Sequence, residues 1–248
     1  MARADRDSTT GAEDAPRPER VGRLHPMAPS RTRSRFIDGP IADYAADHST
    51  GPDPLQQDLQ AVTAERTGEM ARMQIGDDQA VLMELLARAM GARRAIEIGT
   101  FTGYSALALV RGMGPEGRLL CCDVSEEWTA IAQAHWEQAG VADRIELKLG
   151  PALDTLRELP GDAVFDLAFV DADKTGYPAY YEELVPRLRV GGILLADNTL
   201  QSGRVLDPAD QSPDVVAIRA FNDTIAADPR VRVVLLPIGD GVSVIQRQ

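Results

Sequence analysis

The chain has 248 residues, 44% of them hydrophobic, and a formal net charge of −12, enough apolar material to bury the core of one large domain. It has no apolar run of about 18 residues, and its first residues carry scattered charges in place of an apolar stretch, which argues against a membrane span or a signal peptide and for a cytoplasmic protein. The charge is uneven: residues 1 to 35 hold eight Arg and five acids, so the remaining acidic body is a poor partner for phosphate backbones, which sets nucleic acid aside as a substrate.

Residues 1 to 35 mix Arg, Asp, Pro, Ser and Thr without apolar periodicity. Such a segment cannot offset its ordering entropy by burial and reads as a disordered tail, or as an arm that orders against a partner subunit or substrate. Residues 36 to 248 read as a single domain. Helical spacing of apolar residues runs from Pro54 to Gly68 and from Asp77 to Met90, with Gly91 as a stop. Strands and helices then alternate: strand Arg94 to Ile98, helix Tyr104 to Met113, strand Arg118 to Cys122, helix Ser125 to Ala139, strand Ile145 to Leu149, a short helix Leu153 to Leu159, strand Asp166 to Val170, helix Tyr177 to Leu188, strand Gly192 to Ala196. A helix from Pro213 to Ala227 leads to Val231 to Leu236, the turn Gly239-Asp240-Gly241, and Val242 to Ile245. Two strands joined so tightly are antiparallel. The expected fold is α/β, a doubly wound, mostly parallel seven-stranded sheet with helices on both faces and a C-terminal antiparallel hairpin. Cys121 and Cys122 are neighbours on a strand, point to opposite faces, and read as small core residues.

In open α/β sheets a ligand lies beyond the carboxyl ends of the strands, so the turn after the first strand is the place to look. That turn is Gly99-Thr100-Phe101-Thr102-Gly103, preceded by Glu97. Glycine admits a close ligand, and the following helix presents free N–H groups. The spacing is Gly-x-x-x-Gly, not the Gly-x-Gly-x-x-Gly of a pyrophosphate site, and a carboxylate before it suits a ligand with an ammonium group. A small-residue turn serving only tight helix packing has the same pattern. Asp123 ends the second strand 24 residues after Gly99, where an acid hydrogen-bonds ribose hydroxyls; with Ser125 beside it, a helix-capping role is the plain alternative.

Met73-Gln74-Ile75, Glu97 to Ser105, Val170-Asp-Ala-Asp-Lys174, Gly191-Gly192, Asp197-Asn198-Thr199 and Pro237 to Gly241 occur in one order. Together they resemble the cation-dependent O-methyltransferases that include caffeoyl-CoA and catechol O-methyltransferases, over about Pro54 to Gln248. The terminal antiparallel hairpin is likewise the class I methyltransferase pattern, in contrast to all-parallel Rossmann dehydrogenases. The resemblance implies S-adenosylmethionine as cofactor, with Glu97, Gly99, Thr100 and Ser105 at its methionine end and Asp123 at its ribose. It further implies contacts from Ile75, Ala152, Asp173 and Tyr180, and a homodimer.

Asp171 ends the fourth strand and Asp197-Asn198 the fifth, so three oxygen-bearing side chains meet at the edge that carries the glycine turn. Oxygen ligands suit a hard cation, Mg²⁺ first and Mn²⁺ or Ca²⁺ as alternatives. An Asp-Asn pair also commonly makes a turn or cap, and the resemblance favours metal. Of the 26 basic residues only Lys148 and Lys174 are Lys. Lys148 reads as a solvated strand residue. Lys174 matches the family's catalytic lysine; lysine can lose its proton when perturbed, whereas arginine stays charged. A surface ion pair with an adjacent Asp is its other reading. The three histidines, His25, His48 and His135, are not placed to act as base. The implied reaction is methylation of one hydroxyl of a vicinal aromatic diol held on the cation, with Lys174 as base. The loops from Ile37 to Asp53 and from Gln201 to Asp214, including Ser202, are expected to meet the substrate. The rival readings are a metal-independent methyltransferase acting on nitrogen or nucleic acid, and a non-catalytic protein that keeps the cofactor pocket.

Overall fold

The structure, a computed structural model, describes residues 36–37, 39–161 and 164–248. The expected tail, 1 to 35, lies outside the described residues. Three helices precede the sheet: α1 (Gly39–Asp47), α2 (Pro54–Thr67) and α3 (Asp77–Ala89). Asp53 starts α2 through a reciprocal capping box with Gln56, and Pro54 occupies the first turn, where its missing N–H leaves no bond unmade. There follow β1 (Arg94–Ile98), α4 (Tyr104–Gly112), β2 (Arg118–Asp123), α5 (Glu126–Gln138), β3 (Ile145–Leu149), α6 (Ala152–Glu158), β4 (Phe165–Val170), α7 (Tyr177–Leu184), β5 (Leu188–Ala196), α8 (Pro213–Ala227), β6 (Val231–Leu236) and β7 (Val242–Arg247).

The seven strands form one sheet in the order β3-β2-β1-β4-β5-β7-β6. All neighbouring pairs are parallel except those of β7, which runs antiparallel to both β5 and β6. The chain winds outward from β1 through β3, crosses back to β4, and winds outward the other way, so the strand order reverses between β1 and β4. The central strands are buried on both faces, as parallel strands under helices must be. Ile96 and Ile98 of β1 are fully buried, each worth about 1.5–3 kcal/mol relative to exposure. One face packs Leu107, Trp136, Phe169 and Leu195, and the other packs Ile98, Val170, Tyr181 and Phe221. Cys121 belongs to the first cluster and Cys122 to the second, as core residues on opposite faces. Edge strand β3 is largely exposed, and Lys148 pairs with Glu146 there in solvent.

Three elements differ from expectation. Helix α1 lies in what reads as a loop; Ile41 and Tyr44 recur at helical spacing, but the helix buries none of its residues. Helix α7 ends at Leu184 and passes through the 3₁₀ turn Val185–Arg187, because Pro186 lacks the N–H a further helical turn requires. Strand β5 begins at Leu188, ahead of Gly191-Gly192, and its ladder with β4 shifts register between Phe165 and Leu167. Glycines read as a strand boundary are instead an irregularity within the strand. Among the described residues no helix is long and apolar enough to cross a membrane.

Candidate active site

The ladders bring the candidate residues together. Ile98 pairs with Cys122 on one side and Val170 on the other, and Val170 pairs with Ala196. The next residue of each strand therefore stands in one row: Asp123, Gly99, Asp171 and Asp197. Backbone bonds continue the ladder through it, from Gly99 N to Cys122 O, Asp171 N to Ile98 O and Asp197 N to Val170 O. At Gly99, φ is +90° and an added Cβ would lie 2.0 Å from the Asp171 carbonyl oxygen. The glycine turn is pressed directly against the carboxyl end of β4.

Glu97 is wholly buried one residue before the strand end, with the Cys121 thiol 3.4 Å from Oε2 and Oε1 left without a hydrogen bond. Burial pushes its carboxyl up to about 7, against the nearby Ser105 and Thr100 hydroxyls, which favour the charged form. Thr100 Oγ1 is also buried and unbonded. A buried acceptor with no donor is costly unless a ligand supplies one, and an ammonium group would. The site thus fits the amino end of S-adenosylmethionine.

Asp123 has both carboxylate oxygens engaged. Oδ2 accepts the backbone N–H groups of Thr100 and Phe101 at 2.8 Å, and Oδ1 accepts that of Ser125. Ser125 in turn caps α5 by accepting from Trp128 N. The capping alternative is therefore part of its role, and the same carboxylate ties the glycine turn to β2. Ala152, nearly buried, opens α6 just after Gly150, whose N–H bonds to the Asp123 carbonyl. Asp173 Oδ1 accepts the Tyr180 hydroxyl at 2.6 Å, so these two candidates form one unit. Ile75 is buried in the cluster that holds Tyr104 and Leu107.

Asp197 is buried, and its Oδ1 accepts the Asn198 N–H. Burial raises its pKa, and the neighbouring Asp171 charge raises it further. Asn198 sits at φ +55°, a left-handed conformation that Asn adopts more readily than most residues. Two crowded carboxylates, with Asn198 next in the chain, would suit a hard cation, whose charge would relieve their repulsion. The loop that bears them is braced by the β6–β7 turn: Thr199 N bonds to Gly241 O and Leu200 N to Asp240 O, while Asn222 of α8 donates to Thr199 O. Ser202 follows in a turn where its N–H bonds to Asp240 Oδ1.

Lys174 is not a surface residue; its side chain is 14% exposed, and its Nζ donates to Asp171 Oδ1 at 2.9 Å and to the Tyr177 hydroxyl at 2.8 Å. Burial works against its charge, but the Tyr177 and Asp171 contacts outweigh it and hold the ammonium above the ordinary lysine range. His135, by contrast, is buried, bonded to Ile131 O and Asp58 Oδ2, and serves α2–α5 packing.

The sequence reading passed over Tyr177 and a second group. Tyr104 donates to Asp77 Oδ1 at 2.6 Å, and Gln60 reaches both, so the polar contact joins α2 and α3 to the helix that follows the glycine turn. Tyr104 lies within the Glu97 to Ser105 motif, but Gln60 and Asp77 carry none, and nothing in the sequence pairs them with it.

Residues 46–248 match the O-methyltransferase family. The chain is 45% identical over 211 residues to "Probable caffeoyl-CoA O-methyltransferase 2" of Dictyostelium discoideum, covering 84% of this chain and 91% of that one. Among solved structures it is similar to the O-methyltransferase from Bacillus cereus in complex with SAH, with a TM-score of 0.78, 32% identity and coverage of 84% and 97%. It is similar also to TomG of Streptomyces achromogenes in complex with SAM, with a TM-score of 0.77, 30% identity and coverage of 84% and 96%.

Proposed function

Because the chain belongs to the O-methyltransferase family and is an S-adenosylmethionine-dependent O-methyltransferase, we propose that it methylates one hydroxyl of a vicinal aromatic diol with the help of a divalent cation. The observation that carries this reading is the row at the strand ends, which sets Asp171 and Asp197 beside the cofactor turn with Asn198 next in the chain. Glu97, Gly99, Thr100 and Ser105 take the methionine end of the cofactor, Asp123 the ribose, and Ile75, Ala152, Asp173 and Tyr180 further contacts. Asp171, Asp197 and Asn198 hold the cation. When bound, the cation supplies Lewis acidity toward two vicinal oxygens and the cofactor supplies the activated methyl group.

The chain's own residues do the rest. Lys174 Nζ, once its ammonium has released one proton to solvent, receives the proton of the acceptor hydroxyl. A cation held by Asp171 would offset the carboxylate charge that favours the ammonium and so would ease that release. The glycine turn and the acids beyond the strands fix the two reactants at one edge, where orientation lowers the barrier. The caffeoyl-CoA name carried by the Dictyostelium relative supports a phenolic small molecule as acceptor, and the protein is proposed to work as a homodimer.

The test is a methyl-transfer assay with a panel of catechols, flavonoids and caffeoyl thioesters, run with Mg²⁺ and after dialysis against EDTA. Chelation, Asp171→Ala and Asn198→Ala are each expected to lower turnover roughly a hundredfold or more, a loss of several kcal/mol of charge stabilisation, while SAH binding persists. Undiminished turnover in excess EDTA would favour the metal-independent reading.

A further inference from the structure

Tyr177, the first residue of α7, is fully buried, yet its hydroxyl has three polar neighbours: Lys174 Nζ at 2.8 Å, Asp197 O at 2.9 Å and Val170 O at 3.1 Å. A phenol has one proton to give. Both carbonyl neighbours can only accept, so the phenol proton goes to one of the two. What remains is a lone pair, and that accepts an N–H of Lys174. The ring cannot swing away, because Phe221 of α8 meets it edge-on at 5.5 Å and 86°. The short turn Lys174–Gly176 adds a backbone bond from Tyr177 N to Lys174 O.

We propose that Tyr177 is a positioning residue for Lys174, its hydroxyl keying the lysine to the ends of β4 and β5 that carry Asp171 and Asp197. With one N–H given to the Tyr177 hydroxyl and another to Asp171 Oδ1, two of the tetrahedral positions of Nζ are spoken for and the direction of the third is set. Without the Tyr177 hydroxyl only the Asp171 anchor remains, and the third position is no longer held to one direction. The catalytic consequence rests on Lys174 acting as base; the positioning itself does not.

The composition makes this measurable, since Lys148 and Lys174 are the only two lysines. In protein labelled with ¹³C-lysine, NMR resolves both ε-methylene groups. Lys148 on the exposed edge is expected to show one averaged proton signal, and Lys174 two unequal ones. In Tyr177→Phe the Lys174 pair collapses while Lys148 is unmoved. An averaged Lys174 in the wild type, or an unchanged pair in the variant, overturns the proposal; the wild-type spectrum alone decides if the variant fails to fold. In the methyl-transfer assay Tyr177→Phe lowers kcat at least about tenfold, with the KM for S-adenosylmethionine within about twofold. The same change made on top of Lys174→Ala has no further effect on kcat, whereas a purely structural tyrosine would lower both backgrounds alike. Wild-type turnover in Lys174→Ala itself would remove the base reading and leave the spectra to judge the positioning.

Discussion

At the scale of single residues Asp123 carries the most work per atom. Its carboxylate accepts three backbone N–H groups, two from the glycine turn and one from the cap of α5, and a bond to a charged acceptor contributes about 1.5–3 kcal/mol net of water. Asp123→Ala should therefore cost stability as well as cofactor affinity. A loss of about 2–4 kcal/mol would lower the melting point by roughly 5–15 °C in a chain of this size, read by calorimetry without ligand. An unchanged melting point with lost SAH binding would assign the residue to the ribose alone. Asp123, Asp171 and Asp197 were legible in the sequence because each interrupts an apolar run where a strand ends. Tyr177 was not, since a tyrosine at the start of a helix reads as ordinary core until the hydroxyl's neighbours, from β4 and β5, are known.

At the scale of elements, the β6–β7 turn does more than join two strands. Gly241 has φ +90°, and a Cβ there would lie 2.6 Å from Leu200 Cγ and 2.8 Å from Leu200 N. Its own carbonyl receives Thr199 N at 2.9 Å. The turn is thus clamped onto the loop that begins with Asp197 and Asn198, and only glycine allows that approach. Gly241→Ala is expected to cost about 1–3 kcal/mol of backbone strain and to lower turnover more than SAH affinity, because the cofactor turn lies across the sheet from it. Equal losses in both, measured by kinetics and calorimetry, would mean that the clamp supports the fold generally. The hairpin itself was legible from Gly239-Asp240-Gly241 between apolar runs. Its contact with the 197–200 loop was not, because that contact joins segments some 40 residues apart in the sequence; the start of β5 is masked by Gly191-Gly192, and α1 is a nine-residue helix that opens on Gly39-Pro40, a pair that reads as a turn.

At the scale of the whole molecule, one parallel sheet concentrates acids at one edge, and the fold must carry buried carboxylates there before any ligand arrives. Glu97 illustrates the linkage. Its pKa is about 7 in the folded protein against 4.5 for the free side chain. Below about 4.5 both folded and unfolded chains hold the proton, and burial carries no electrostatic cost. Between the two values only the folded state holds it, so stability falls as pH rises, and above about 7 the full cost remains, on the order of 3 kcal/mol. Asp210 and Asp228, whose partners hold them below the usual range, act in the opposite sense and only at lower pH. Asp197 and Asp78 are raised by burial as Glu97 is, so the wild type alone mixes three groups, and the difference between wild type and Glu97→Gln isolates one. An ammonium-bearing ligand beside Glu97 removes its cost where the carboxylate is charged. The rise in melting point that SAH produces should therefore be larger at pH 8 than at pH 5.5 in the wild type and similar at the two in Glu97→Gln. Equal rises in the wild type would separate Glu97 from the cofactor and leave its burial without the ligand that the orphaned oxygen calls for.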